Sequence, residues 1–356
     1  NCVGSGGPRK TDFYFSELLS TLLAKDTEKR DALSVAETVE TIGGSFGGFG
    51  GNNTLGLSIE VLKSDQAIAL EILGDGLLEP VFNSNSFQTE CESQIAELRE
   101  SEDEIAAYGG CCLRRRFFGE HPYSVGTNGI ADDLATLCPD DLRHHWQRLL
   151  CPGNLVFSVS GDFDRQHIIE QFHAISEKIK GAGFEKADVP FPGPAETGRI
   201  REPLDREQAV VFQAYPDMGI LHPSRPAGIV LSELLNGMSS NLFNEVREKR
   251  SMAYYVGANR VTGINSGMFY LYAGTAPNQV EDVLQQFDIE MDRLCNGKIH
   301  DDEISRAKAR LKTGKRMQQQ TAGNRTMEVA LNKLYGLPVN DFLQYDLQID
   351  TVSTTD

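Results

Sequence analysis

The sequence predicts an α+β protein of two similar domains, each an antiparallel-rich sheet with helices packed on one face. Three observations carry this. Short alternating stretches, such as 54–62 with Leu55, Leu57, Ile59 and Val61 on one face, lead into long segments with apolar residues at helical spacing. A stretch at 180–205, with Gly181-Ala-Gly183 and Pro190-Phe-Pro-Gly-Pro194, breaks the pattern near mid-chain and reads as an extended linker. Beyond it the order of elements partly repeats, which suggests an internal duplication. The expected organisation is therefore a domain at 1–180, a linker at 181–205 and a second domain at 206–356.

Taken in order, 1–10 is Gly-rich and polar, and a helix is expected over 11–25 from the spacing of Phe13, Phe15, Leu18, Leu19, Leu22 and Leu23. A second helix over 33–42 is stopped by Gly43-Gly44. Residues 45–51 hold four glycines and two phenylalanines and lead into the strand at 54–62. No Lys-Ser/Thr follows these glycines, so a phosphate cradle is not indicated. Helices are expected at 64–78 and 86–105, then a Cys-Cys-Leu-Arg helix, a loop at 118–123 and a strand at 154–160. The turn Gly161-Asp-Phe-Asp164 ends in a helix N-cap. In the second half a strand (208–214), helices (226–235, 241–250), two strands (253–261, 267–273) and two long helices (278–295, 301–317) are expected. Little precedes the first helix, and no last strand mirrors 154–160. A fragment of a longer chain is expected on that pattern.

Composition narrows the function classes. Of 356 residues, 40% are hydrophobic and 24% charged, which excludes a disordered or collagenous chain. Lys and Arg number 34 against 51 Asp and Glu, a formal charge of −17 that argues against nucleic-acid binding. The triplet Arg114-Arg-Arg116 is too short to reverse that sign and reads as a solvated helix face. No apolar run of membrane-spanning length and no signal-peptide pattern is present. Seven cysteines at 2, 91, 111, 112, 138, 151 and 295 fit no zinc spacing and read as reduced, mostly buried thiols. That usage suits the cytoplasm without excluding the periplasm.

Several segments resemble the pitrilysin/insulinase family of zinc peptidases (peptidase family M16), which includes the mitochondrial processing peptidases. In the first half they are Ala32-Leu-Ser-Val-Ala-Glu-Thr-Val-Glu-Thr-Ile-Gly-Gly-Ser45, Leu77-Leu-Glu-Pro-Val-Phe82, Gly119-Glu-His-Pro-Tyr123 and Asn154-Leu-Val-Phe-Ser-Val-Ser-Gly-Asp-Phe163. In the second they are Leu234-Leu-Asn-Gly-Met-Ser-Ser-Asn-Leu-Phe243 and Arg247-Glu-Lys-Arg-Ser-Met-Ala-Tyr254. The resemblance implies the LuxS/MPP-like metallohydrolase fold and an inverted His-x-x-Glu-His zinc motif. In that motif two imidazoles one helical turn apart bind the metal and the Glu polarises water. Lys25-Asp26-Thr27 resembles the family's Lys-Gly-Thr and places the motif at Glu17-Leu-Leu-Ser-Thr21. Glu17 and Thr21 then stand where the family has its histidines, and Ser20 where it has the general base. The family's downstream Glu ligand matches Glu97, the single retained ligand position. The first histidine is His121, and the adjacent His144 and His145 point to different helix faces.

The resemblance therefore implies a non-catalytic subunit or half, with no metal or cofactor of its own and zinc on a sister subunit or fused half. Arg247 and Tyr254 match the family's Arg and Tyr, which reach into the chamber toward substrate and tetrahedral intermediate. The glycine segment 43–51 leads, in the family, into a sheet edge that pairs with bound peptide. The expected partners are that zinc-bearing sister and a peptide, with no nucleic acid and no membrane span. The expected compartment is cytoplasmic or periplasmic in a bacterium and mitochondrial in a eukaryote. Two alternatives come from other classes. One is a structural subunit of the type found as core proteins of the bc1 complex. The other is an active hydrolase with an atypical site of Glu17, Ser20 and Glu97.

Overall fold

The structure, a computed structural model, describes residues 2–5 as backbone, and residues 15–180, 183 and 189–356. The expected helix start at 11–14 and most of 181–188 lie outside the described residues. The elements are β1 (Cys2–Ser5), α1 (Ser16–Leu23), α2 (Ala32–Thr41), β2 (Ser45–Gly50), β3 (Thr54–Glu60), α3 (Gln66–Leu78), α4 (Ser84–Asp103), α5 (Ile105–Phe118), α6 (Pro139–Leu149), β4 (Leu155–Phe157) and α7 (Arg165–Ser176). They continue with β5 (Ala209–Met218), α8 (Arg225–Leu235), β6 (Ala253–Thr262), β7 (Ser266–Thr275), α9 (Val280–Cys295), α10 (Asp301–Gln318), α11 (Ala322–Tyr335) and α12 (Tyr345–Thr351).

The chain forms two compact units, each discontinuous in sequence. Unit 1 is Asn1–Glu100, Val125–Val189 and Gln319–Asn340, and unit 2 is Ser101–Ser124, Pro190–Gln318 and Asp341–Asp356. The units thus do not coincide with the contiguous ranges 1–180 and 206–356. Helix α5 belongs with the later residues and α11 with the earlier ones.

Unit 1 is built on an antiparallel sheet in the order β2-β3-β1-β4. Alternation in β3 buries Leu55 and Leu57, as the sequence indicates, against Leu18, Leu19, Leu22 and Leu23 of α1 and Leu73 and Leu77 of α3. Trp146 of α6 joins this core and donates from Nε1 to the Leu77 carbonyl at 2.9 Å. Asp31 caps α2 by accepting from the Ser34 amide at 2.8 Å, and Asp164 caps α7 through the His167 amide at 3.1 Å. The strand expected at 154–160 is only three residues long. Helix α11, which the sequence reading did not single out, packs on β1 and β4.

Unit 2 has an antiparallel sheet in the order β5-β7-β6. Val211, Leu271, Ala273 and Ala258 bury one face against Val230 and Leu235 of α8 and Val283 and Phe287 of α9. Tyr123, from Gly119-Glu-His-Pro-Tyr123, is buried and accepts from the Ile264 amide at 2.9 Å. A Cβ at Gly263 would lie 1.9 Å from its ring, so only glycine fits there.

The helix expected at 86–105 is α4, and the Cys-Cys-Leu-Arg helix is α5, capped by Glu104 through the Ala107 amide. Two expectations are corrected here. The Arg114–Arg116 triplet is not a simple solvated face. Arg116 pairs with Glu196 at 3.0 Å and Glu202 at 2.7 Å, and Arg114 Nε donates to the Tyr123 carbonyl at 2.7 Å. The thiols are not mostly buried: of the six described, Cys91 and Cys151 are buried while Cys111, Cys138 and Cys295 are exposed. Cys111 and Cys295 lie on helices and Cys138 just before α6, placements that cysteine content alone does not reveal.

Candidate functional site

Helix α1 carries the candidate motif across the sheet of unit 1. The glycines read as an edge feature have a more specific reason. A Cβ on Gly48 would lie 1.8 Å from the Ser20 carbonyl oxygen, and one on Gly50 would lie 2.8 Å from Ser16 and Glu17 backbone atoms. Strand β2 therefore includes the glycines and rests directly on the backbone of α1. It is the sheet's terminal strand, and Ser45–Gly50 pairs in unbroken register with β3.

Glu17 lies on α1 and Glu97 on α4, near enough for the Glu97 charge to act on Glu17. Burial, and then the Glu97 charge, raise the Glu17 carboxyl above its ordinary 4.5. Ser20 is fully buried, and its hydroxyl donates to the Glu17 carbonyl at 2.9 Å. That commitment and that burial remove it as a nucleophile toward a peptide. Thr21 is half-buried. Gln94 Nε2 donates to the Asn128 carbonyl at 2.6 Å, and Ser16 Oγ to the Thr127 carbonyl at 3.5 Å. Sequence reasoning did not find Gln94, although its position three residues before Glu97 puts it on the same helix face.

The donor set does not fit zinc. Two carboxylates without imidazole or thiolate suit hard cations poorly held, not a tetrahedral zinc. Among the described residues no group of three His, Cys, Asp or Glu side chains could hold a metal. His121 is buried and accepts at Nδ1 from the Tyr123 amide, while His144 is exposed and His145 buried on α6.

Arg247 and Tyr254 lie in unit 2 at the end of a helical turn and the start of β6. The segment expected as one helix over 241–250 is a short helix (Asn241–Phe243) followed by a π-turn, Asn244–Glu248. Ser251 then takes a left-handed φ of 52°. The amides of Ser251 and Met252 donate to the carbonyls of Arg247 and Val246 at 3.1 and 2.9 Å. A β-bulge falls between Ala253 and Tyr255 and sets Tyr254 outside the regular register. Three irregularities thus fall within about twelve residues, the pattern expected where function constrains backbone. Both side chains are exposed, Tyr254 at 58%, and neither enters the core.

The comparisons agree with this reading of fold and family. Residues 15–112 match the family described as insulinase (peptidase family M16), and residues 136–311 match the peptidase M16 inactive domain. An uncharacterized zinc protease of Streptomyces coelicolor is 30% identical over 305 residues, covering 82% of this chain and 65% of that protein. An uncharacterized zinc protease of Bacillus subtilis is 26% identical, covering 87% and 76%. The chain thus spans about two thirds to three quarters of the length of these relatives. Among solved structures, a peptidase M16 inactive domain from Pseudomonas fluorescens superposes with a TM-score of 0.85 at 20% identity, covering 99% of this chain and 86% of that one. A chain of complex III2 from Candida albicans does so with a TM-score of 0.79 at 18% identity, covering 100% and 85%. The chain belongs to peptidase family M16 and carries its inactive domain. Among the described residues no helix is long and apolar enough to cross a membrane.

Proposed function

We propose that this chain is a non-catalytic half of an M16-type endopeptidase, closing a peptide-degrading chamber with a zinc-bearing sister. The sister is a separate subunit or the other half of a fused chain. The observation that carries the reading is the replaced ligand and base set. Glu17, the buried and hydrogen-bonded Ser20, and Thr21 stand at the motif positions while the fold around them is kept. Zinc and the attacking water belong to the sister. Arg247 and Tyr254 supply a guanidinium and a phenol O–H, donors suited to a peptide carbonyl and to the negative charge that grows on it. Strand β2, which carries no Lys, Pro or bulge, offers an edge to which an extended peptide adds as a further strand.

A second reading, a structural subunit without a peptidase role, draws support from the likeness to a complex III chain, which speaks for the fold alone. The experiment is metal analysis and peptide cleavage by the purified chain, alone and with the companion bearing His-x-x-Glu-His. The proposal expects no stoichiometric zinc and no cleavage by the chain alone, and cleavage by the pair. One tightly held zinc per chain, or turnover without the companion, sinks it.

A further inference from the structure

The side chains around Arg247 divide sharply in how their charges are used. Lys249 and Arg250 both engage Glu245, at 2.6 and 3.9 Å. Arg247, two residues away, makes no ion pair among the described residues. Its guanidinium carbon lies 5.1 Å from the centroid of the Phe243 ring. Phe243 is half-buried and stands outside the apolar cluster of unit 2, although its neighbour Leu242 is fully inside it. Its backbone is fixed, since its amide donates to Ser240 Oγ at 3.1 Å. The π-turn that follows is closed by the Lys249 amide on the Asn244 carbonyl at 2.9 Å.

An exposed arginine with no carboxylate partner samples many rotamers, and each ligand it grips must first order it. A ring beneath the guanidinium supplies that order in a particular way. A cation–π contact made through the face of the planar group leaves its five N–H donors, which lie in the plane, open. A carboxylate partner would orient the arginine just as well but would occupy those donors. We propose that Phe243 is a positioning residue for Arg247. It holds the guanidinium in place while leaving its hydrogen-bonding edge free for a peptide carbonyl. This rests on the reading of Arg247 as a peptide contact.

The test uses the full chain as purified, with fluorescein-labelled β-casein as the unfolded probe, and 15N-arginine NMR as the structural readout. In the unmodified protein the Arg247 Nε–Hε signal should carry a ring-current shift. Phe243→Leu should abolish that shift and weaken probe binding by about two- to fivefold, the range a partly exposed cation–π contact allows. Phe243→Tyr, which restores a ring, should recover both. If Arg247→Ala weakens binding while Phe243→Leu leaves it unchanged, the positioning role is overturned and the peptide-contact reading stands. If Phe243→Tyr behaves like Phe243→Leu, the ring is not what orients Arg247. If Arg247→Ala itself leaves binding unchanged, the peptide-contact reading fails and the positioning role goes with it.

Discussion

Two adjacent glycines in β2 have opposite surroundings, and this makes a controlled test of how the edge strand meets helix α1. At Gly48 a Cβ would lie 1.8 Å from the Ser20 carbonyl oxygen and 2.2 Å from its carbon, whereas at Gly47 nothing lies within 4 Å. The clashing atoms are backbone, so no rotamer change relieves them; either α1 or β2 must shift. Overpacking costs about 1–3 kcal/mol, and a rigid backbone contact puts Gly48→Ala near the upper figure. For a unit of this size each kcal/mol moves Tm by about 2–4 °C, so a fall of about 6–12 °C is expected. Gly47→Ala meets open space and removes a flexible residue from a strand, so it should be neutral or raise stability by up to about 1 kcal/mol. Thermal unfolding followed by circular dichroism reads both. Equal midpoints for the two variants would refute the claim that β2 lies on the backbone of α1.

Other predictions concern the two candidate sites. Burial and Glu97 raise the Glu17 carboxyl above 4.5, so the folded state holds this proton more tightly than the unfolded chain does. The resulting penalty is absent at low pH, where both states are protonated, and appears as pH rises through the folded-state value. Glu17→Gln should therefore raise Tm near pH 7, with the gain shrinking as pH falls toward 4.5; a gain that grows on acidification contradicts the assignment. Ser251 holds a left-handed φ of 52°, a conformation that costs an L-residue about 1–2 kcal/mol. Ser251→Gly should stabilise the protein by up to about 1 kcal/mol after the added freedom of the unfolded chain is subtracted, as urea unfolding would show. A loss of stability there would mean that the Ser251 side chain contributes something the backbone geometry does not indicate.

Much of the fold was legible because it rests on periodicity. The alternation of Leu55 and Leu57 and the helical spacing of Leu18, Leu19, Leu22 and Leu23 define the sides that become the core of unit 1. The cap at Asp164 sits where the Gly161-Asp-Phe-Asp164 turn puts it. What escaped reading is what depends on close approach in space. Gly48 and Gly50 read only as a feature of a sheet edge until the backbone of α1 is seen beside them. Arg116 looks solvated until Glu196 and Glu202, far along the chain, come back to it. At the candidate site one motif anchor singled out Glu17 and Glu97, and the Glu97 charge acts on the Glu17 carboxyl. The π-turn at Asn244–Glu248 and the bulge at Tyr254 were not legible, since apolar patterning does not distinguish a regular helix end from an irregular one.

If this chain lends its donors to chemistry performed on a zinc-bearing sister, the loss shows in kcat for peptide cleavage by the reconstituted pair, with Arg247→Ala or Tyr254→Phe in this chain. Both residues are exposed, so assembly should be unchanged. Losing a donor to a developing oxyanion costs about 2.7–4 kcal/mol of barrier, so each variant should lower kcat by about a hundredfold or more. Variants that assemble fully and cleave at the unmodified rate would contradict the account and leave the chain a scaffold.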